Sequence, residues 1–480
     1  MNYLIQALCL FFTIISSASI ANSQYEDMSQ LIDVWLDAQK DYDDIPSISG
    51  VIVQDQQVIW SGSFGESNRE SGQAISLNSM GSICSVSKVF TATAIMKLVD
   101  NGKLSLNSKL HELLPKLALK QAFPEGGDIT IESLLTHSSG VPRDTEHAYW
   151  SSPAHHFPSE QELYQSLSAT QTTHAVGSSI AYSNVGYALL GQVIEQVSGK
   201  SYKDFIETEI FSPLQMQDST VELPQPLIGN RHTVGYTAKS RGGARKRADL
   251  YQTRSMQSAA GISSTVMDLA KFAMWQFREV KSDKKEIMSS SSLLSMYEPH
   301  AKNQRGNRGY GYAVTEDKDG NRWVTHGGMC PGYVSFLKID VSNKMAYAIM
   351  VNANKVRAMN YVNGLIELVT RYTATNDGDI RKENQTLNDF VGFYDLTPWN
   401  SEYYVAKWQQ DLMLLYLPAD SLNYALYQYR QVANDRFQLI ENGKFANEHL
   451  VFIRDESGKV FKVKNEGNFH WKIPPATISQ

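Results

Sequence analysis

A chain of 480 residues, 42% of them hydrophobic, can bury one large core and a smaller second one. The formal net charge is −6 with the signs mixed along the chain. Its one compact basic run, Arg245-Lys246-Arg247, is too short for a nucleic-acid-binding face, so nucleic acid is excluded as a partner.

The first residues read as an export signal. Leu8 to Ile15 is apolar except for Thr13, small residues follow from Ser16 to Ser19, and Ser19-Ile20-Ala21 fits a small-x-small cleavage site, so residues 1–21 are expected to be removed. The run is too short to span a bilayer, although no Lys or Arg precedes it. The rival reading is a buried N-terminal helix. Export places the mature chain in the periplasm or outside the cell, an oxidising setting in which its two remaining cysteines, Cys84 and Cys330, matter.

Leu31, Val34, Trp35 and Ala38 have helical spacing. Val51-Ile52-Val53 and Val58-Ile59-Trp60 flank a polar turn and predict a strand hairpin. Residues 86–100 form the strongest apolar helix, stopped at Gly102, where a left-handed cap is easy. Further helices are predicted over Val185–Val197, ending near Gly199, and over Met267–Phe277. Strands return at Trp323–Thr325, Tyr333–Ile339 and Met345–Val351. Strands at both ends with helices between them predict an α+β fold, one antiparallel sheet packed against helices, over residues 25–372. Residues 373–386 are polar and read as a linker with few contacts crossing it. Residues 387–475 are short aromatic and β-branched runs broken by Asn442-Gly443, Ser457-Gly458 and Glu466-Gly467, which predicts a small all-β barrel or sandwich.

Three motifs carry chemistry. Ser85-Val86-Ser87-Lys88 opens the strongest helix, where unpaired backbone N–H groups and the helix dipole stabilise an oxyanion. Lys88, one turn on, can reach the Ser85 hydroxyl, and a serine nucleophile needs such a base. Ser282/Lys285 and Ser335/Lys338 share the spacing but lack the apolar helix. The alternative is a helix-capping serine beside a solvated lysine. Tyr182-Ser183-Asn184 precedes the helix at 185–197; a lysine nearby would lower the tyrosine's pKa and let it take or relay a proton, while Asn184 would orient a substrate carbonyl or hold Lys88. Tyr361-Val362-Asn363 has the same spacing, and a loop tyrosine packed on the core is the alternative. His326-Gly327-Gly328 follows a strand, and its glycines let a substrate backbone lie alongside.

In this order, Ser-x-x-Lys, Tyr-x-Asn and His-x-Gly resemble the serine β-lactamase and penicillin-binding-protein superfamily. The likeness is closest to class C β-lactamases and to D,D-carboxypeptidase, D-aminopeptidase and esterase relatives with histidine in the third motif. Residues 98–106 (LVDNGKLSL), 134–142 (LLTHSSGVP), 260–272 (AGISSTVMDLAKF) and 328–333 (GMCPGY) look like segments of that family, and the likeness covers roughly residues 30–370. Residues 390–395 (FVGFYD) resemble the start of a lipocalin-like barrel appended to some members.

The resemblance implies an all-helical lobe beside the sheet and a hydrolase without a cofactor or a metal, acting on a small-molecule or short-peptide substrate. It implies Ser85 as nucleophile, Lys88 and Tyr182 sharing the proton work, Asn184 assisting, and the backbone N–H groups of Ser85 and Met329 as the oxyanion hole. His326 would stand where many relatives carry lysine, with Gly327 and Gly328 on the substrate strand and His137 structural. Certain class A carbapenem-hydrolysing relatives join cysteines at similar places, which implies a Cys84–Cys330 disulfide. Many relatives that recognise β-lactams have threonine at the place of Gly327 and a hydroxyl at that of Met329, and hold a substrate carboxylate there. The expected activity is therefore hydrolysis of a small ester or amide, D-amino-acid peptides among them. The alternatives are a β-lactamase or D,D-carboxypeptidase, and a penicillin-binding sensor or interaction protein with little turnover.

Overall fold

The computed structural model describes residues 23–281, 284–304, 306–375 and 385–474. The proposed signal, residues 1–21, lies outside them, as does most of the polar stretch 373–386. No helix among the described residues is long and apolar enough to cross a membrane.

The elements that place the site are helix α1 (Glu26–Tyr42), strands β1 (Ser47–Gln54) and β2 (Gln57–Asn68), helices α2 (Ser87–Asp100), α3 (Asn184–Ser198) and α4 (Val266–Glu279), strands β3 (Ala313–Glu316), β4 (Arg322–Cys330), β5 (Tyr333–Asp340) and β6 (Met345–Val351), and helix α5 (Ala358–Thr375). The predicted helices and strands are present with small changes at their ends. Gly102 and Gly199 both take positive φ at helix ends, which is where a residue without Cβ is cheapest. Helix α4 starts on Thr265, whose side chain accepts from the Asp268 N–H.

The strands belong to one nine-stranded antiparallel sheet in which β1 lies between β2 and β6, and β5 is the central strand. N-terminal and C-terminal strands thus meet in one sheet. Residues of α2, α3 and α4 build the core on one face, with Phe90, Phe272 and Trp275 in contact there. Helices α1 and α5 cover the other face, where Trp35 and Tyr361 pack with ring centroids 5.8 Å apart. This is an α+β fold with a helical lobe.

Residues 392–471 form an eight-stranded antiparallel sheet with its strands in chain order. Its ends meet: Tyr394 bridges Lys472, and Ile473 N–H donates to the Phe393 carbonyl at 2.8 Å. The result is a nearly closed barrel around Phe390, Tyr403, Leu414 and Phe437.

The expectation of few crossing contacts is overturned. Trp408, Met413, Leu415 and Leu417 on the barrel share one apolar cluster with Leu31, Ile32, Trp35 and Leu36 of α1 and Leu365 and Leu368 of α5. Tyr372 meets Trp408 edge to face at 5.0 Å, Gln409 N–H donates to Asp27 at 2.7 Å, and Ala419 N–H donates to Gln39 at 2.7 Å. A polar connector says nothing about the surfaces it joins. Helix α5 also continues through Thr375, so the polar stretch begins as helix.

Candidate active site

Ser85 lies in a short 3-10 turn, Cys84–Val86, that leads into α2. Cys84 has φ +50°, a left-handed conformation that costs a non-glycine residue on the order of 1–3 kcal/mol unless its surroundings impose it. Here they do. Cys84 and Cys330 are joined by a disulfide with Cα atoms 5.6 Å apart. The Ile83 carbonyl accepts from Ser335 Oγ at 2.7 Å. A Cβ on Gly328 would stand 2.1 Å from that same carbonyl oxygen, so the turn lies against β4 at a distance that only glycine permits. Strand β3 pairs with β4 along Arg322–Thr325, and β5 pairs with it through Cys330. From His326 onward one edge of β4 is therefore free of β3.

Lys88 is fully buried. Its Nζ is 3.5 Å from Ser85 Oγ, 2.9 Å from Asn184 Oδ1 and 2.7 Å from the Ala259 carbonyl. Burial holds its pKa well below the ordinary lysine value; the Asp144 carboxylate opposes that shift and the Arg143 cation adds to it. The lowered pKa brings the uncharged amine, the form that can accept a proton, within easier reach. Asn184 is oriented from behind, because its Nδ2 donates to Asp144 Oδ1 at 2.7 Å, which turns its oxygen toward Lys88.

Tyr182 is hydrogen-bonded to Ser85, and Lys88 Nζ lies 4.9 Å from its ring centroid. The expectation of a lowered pKa is corrected: burial pushes the phenol up to about 12, and the Ser85 hydrogen bond and the Arg143 charge offset this only in part. The Tyr182 ring rests on His137, centroids 4.4 Å apart, and His137 Nδ1 accepts from the Ser183 N–H at 3.1 Å. Burial depresses the pKa of His137, so the neutral ring holds the Tyr182–Asn184 loop in place.

His326 is buried with its ring centroid 6.3 Å from that of Tyr182. Burial, and then Lys88 when it carries its proton, bring its pKa down to about 3. Its Nδ1 is 2.8 Å from the Gly327 carbonyl, which can only accept, so Nδ1 carries the proton. Met329 is 69% exposed at the rim. Ser85, Lys88, Tyr182, Asn184 and His326 are thus brought together, with Gly327 and Gly328 on the flanking strand.

A cavity of about 420 Å³ opens beside Ser85, Tyr182 and Asn184, lined also by Arg143, Trp150, His155, Asp249 and Met329. Sequence reasoning missed Asp144 and Arg143. The charged pair directly follows the family segment 134–142, which was the available signal. For His155 and Asp249 no sequence signal existed.

A serine with a buried lysine of lowered pKa one helical turn away, beside a cleft, defines a serine-hydrolase type of site. The family model described as Beta-lactamase matches residues 34–371, well over half of the chain. The chain belongs to the β-lactamase family. It is 24% identical to D-alanyl-D-alanine-carboxypeptidase/endopeptidase AmpH of Escherichia coli over 75% of this chain and 95% of that protein. Identity is 27% with penicillin-binding protein 4* of Bacillus subtilis, over 58% of this chain and 62% of that protein. Among solved structures, the octameric penicillin-binding protein homologue from Pyrococcus abyssi matches with TM-score 0.62 at 22% identity, over 92% of this chain and 99% of that one. The β-lactamase/D-alanine carboxypeptidase from Yersinia pestis, complexed with citrate, matches with TM-score 0.60 at 22% identity, over 73% of this chain and 99% of that one.

Proposed function

We propose that this is an exported serine hydrolase that forms an acyl-enzyme on Ser85 and hydrolyses small esters or amides, D-amino-acid peptides among them. The observation that carries the reading is Lys88: buried, its pKa lowered by that burial, fixed by Asn184 and the Ala259 carbonyl, and 3.5 Å from Ser85 Oγ.

Ser85 Oγ attacks the substrate carbonyl as Lys88 Nζ takes its proton. The backbone N–H groups of Ser85 and Met329 receive the oxyanion, helped by the start of α2. Tyr182, protonated near neutral pH, gives its proton to the leaving group as the carbonyl re-forms, and Lys88 returns a proton to Tyr182. Water then attacks the acyl-enzyme by the same route in reverse. His326 is neutral and position 327 has no hydroxyl, so this strand offers a substrate carboxylate neither charge nor O–H donor. That favours esters and amides over β-lactams. The name of the E. coli relative supports D-amino-acid peptides as substrates. Export is supported by the apolar leader and by the Cys84–Cys330 bridge, which needs an oxidising compartment.

The test is a fluorescent fluorophosphonate or penicillin label on the wild type and on Ser85→Ala, followed by turnover of p-nitrophenyl esters, nitrocefin and D-Ala peptides. Labelling should vanish in the variant, and short-chain esters should be turned over faster than nitrocefin. Full labelling of Ser85→Ala sinks the assignment, and a nitrocefin kcat/KM far above that for esters reverses the substrate ranking.

A further inference from the structure

The cavity beside Ser85 is lined by one cationic and one anionic side chain, and the protein neutralises the first but not the second. Arg143 Nε lies 3.1 Å from Asp144 Oδ2, so its charge has a carboxylate partner. Asp249 has no cationic partner among the described residues. Its Oδ2 accepts from the Ser152 hydroxyl, a neutral donor. The uncompensated charge on the cavity wall is therefore negative.

A second observation points to the same ligand. Trp150 adds an aromatic face to the same wall. A carboxylate and an indole face both attract the same group, a protonated amine. A substrate carboxylate would meet Asp249 unscreened and would find Arg143 already engaged.

We infer that this wall is a subsite for an ammonium group, so that the substrates are small peptides, amides or esters with a free amino group. Asp249 supplies the charge, and Trp150 supplies a cation–π face. Calling the ligand a substrate rests on the reading of Ser85 above; the binding preference does not.

The test uses full-length Ser85→Ala protein and unreacted ligands. Calorimetry at low salt compares D-alaninamide, a cation, with N-acetyl-D-alaninamide, its neutral counterpart. The cation should bind at least about fivefold more tightly, as a partly exposed ion pair allows, and added salt should narrow the gap. Asp249→Asn in the same background should erase the preference; Asp249 is exposed, and an unchanged melting temperature will show the fold intact. Equal or weaker binding of the cation, no binding of either ligand at millimolar concentration, or a preference that survives Asp249→Asn overturns the subsite. Because Ser85 is absent throughout, failure here is separate from failure of the labelling experiment, which tests the nucleophile alone.

Discussion

Breaking the Cys84–Cys330 bridge tests how the nucleophile's turn is held. The two cysteines are 246 residues apart in sequence. In the chain-entropy account, closing a loop of that size removes about 18 cal/mol/K from the unfolded chain, or about 5.5 kcal/mol at 25 °C. Unfolding a chain of this length carries roughly 1 kcal/mol/K of entropy near its midpoint, so losing the whole contribution lowers Tm by about 5 °C. The folded site should change much less. The Ile83 carbonyl is still held by Ser335, and the turn still rests on Gly328. Wild-type protein with and without reductant, and a Cys84→Ser/Cys330→Ser variant, are compared by calorimetry and by ester hydrolysis at 25 °C. The expected result is a midpoint lower by several degrees with activity reduced only a few-fold. Two free thiols after denaturation without reductant would remove the bridge from consideration. A bridge that is present, with a midpoint indifferent to reductant, refutes the entropic reasoning.

Asp144→Asn removes the anion that raises the pKa of Lys88, so that pKa falls further and the acid limb of kcat/KM, which follows deprotonation of Lys88, moves to lower pH. A limb that moves to higher pH, or not at all, separates Asp144 from the base. Gly328→Ala forces a methyl group against the Ile83 carbonyl and should cost most of the activity together with stability, because the obstruction is backbone; wild-type melting and turnover would contradict the close approach. A chain ended after Thr375 bares the α1 and α5 residues that the barrel covers, each large side chain worth about 1.5–3 kcal/mol of burial. It should aggregate or melt well below the full chain, and a soluble, fully active truncation in size-exclusion chromatography refutes this.

Much of the site was legible because its parts are local. A serine at the head of an apolar helix, a lysine one turn on and a Tyr-x-Asn before the next helix are each visible within a few residues. What the sequence hid depends on surroundings drawn from the whole fold. The pKa of Tyr182 is raised because burial, against His137 among others, desolvates it, and burial also lowers the pKa of the lysine expected to depress it. Asp144 matters because a loop returns it behind Asn184, a contact between residues 40 apart that no spacing rule encodes.

The docking of the barrel was missed for a different reason, since its signal lies within one strand. An antiparallel strand with one face in solvent alternates apolar and polar residues. Leu412 to Leu417 does not: it reads Leu-Met-Leu-Leu-Tyr-Leu, and every residue but Tyr416 is buried. Leu412 and Leu414 point into the barrel core. Met413, Leu415 and Leu417, alternating with them, fill the outer face and meet α1 and α5. A strand apolar on both faces requires a second partner outside the barrel, and the nearest apolar surface without a cover was the outer side of α1. Trp35 of α1, which packs against Tyr361 of α5 and shares its cluster with Met413, therefore belongs to the catalytic domain's core and to its junction with the barrel at once. The barrel is in this sense the outermost layer of the hydrolase domain, stacked on the helices that back its central sheet.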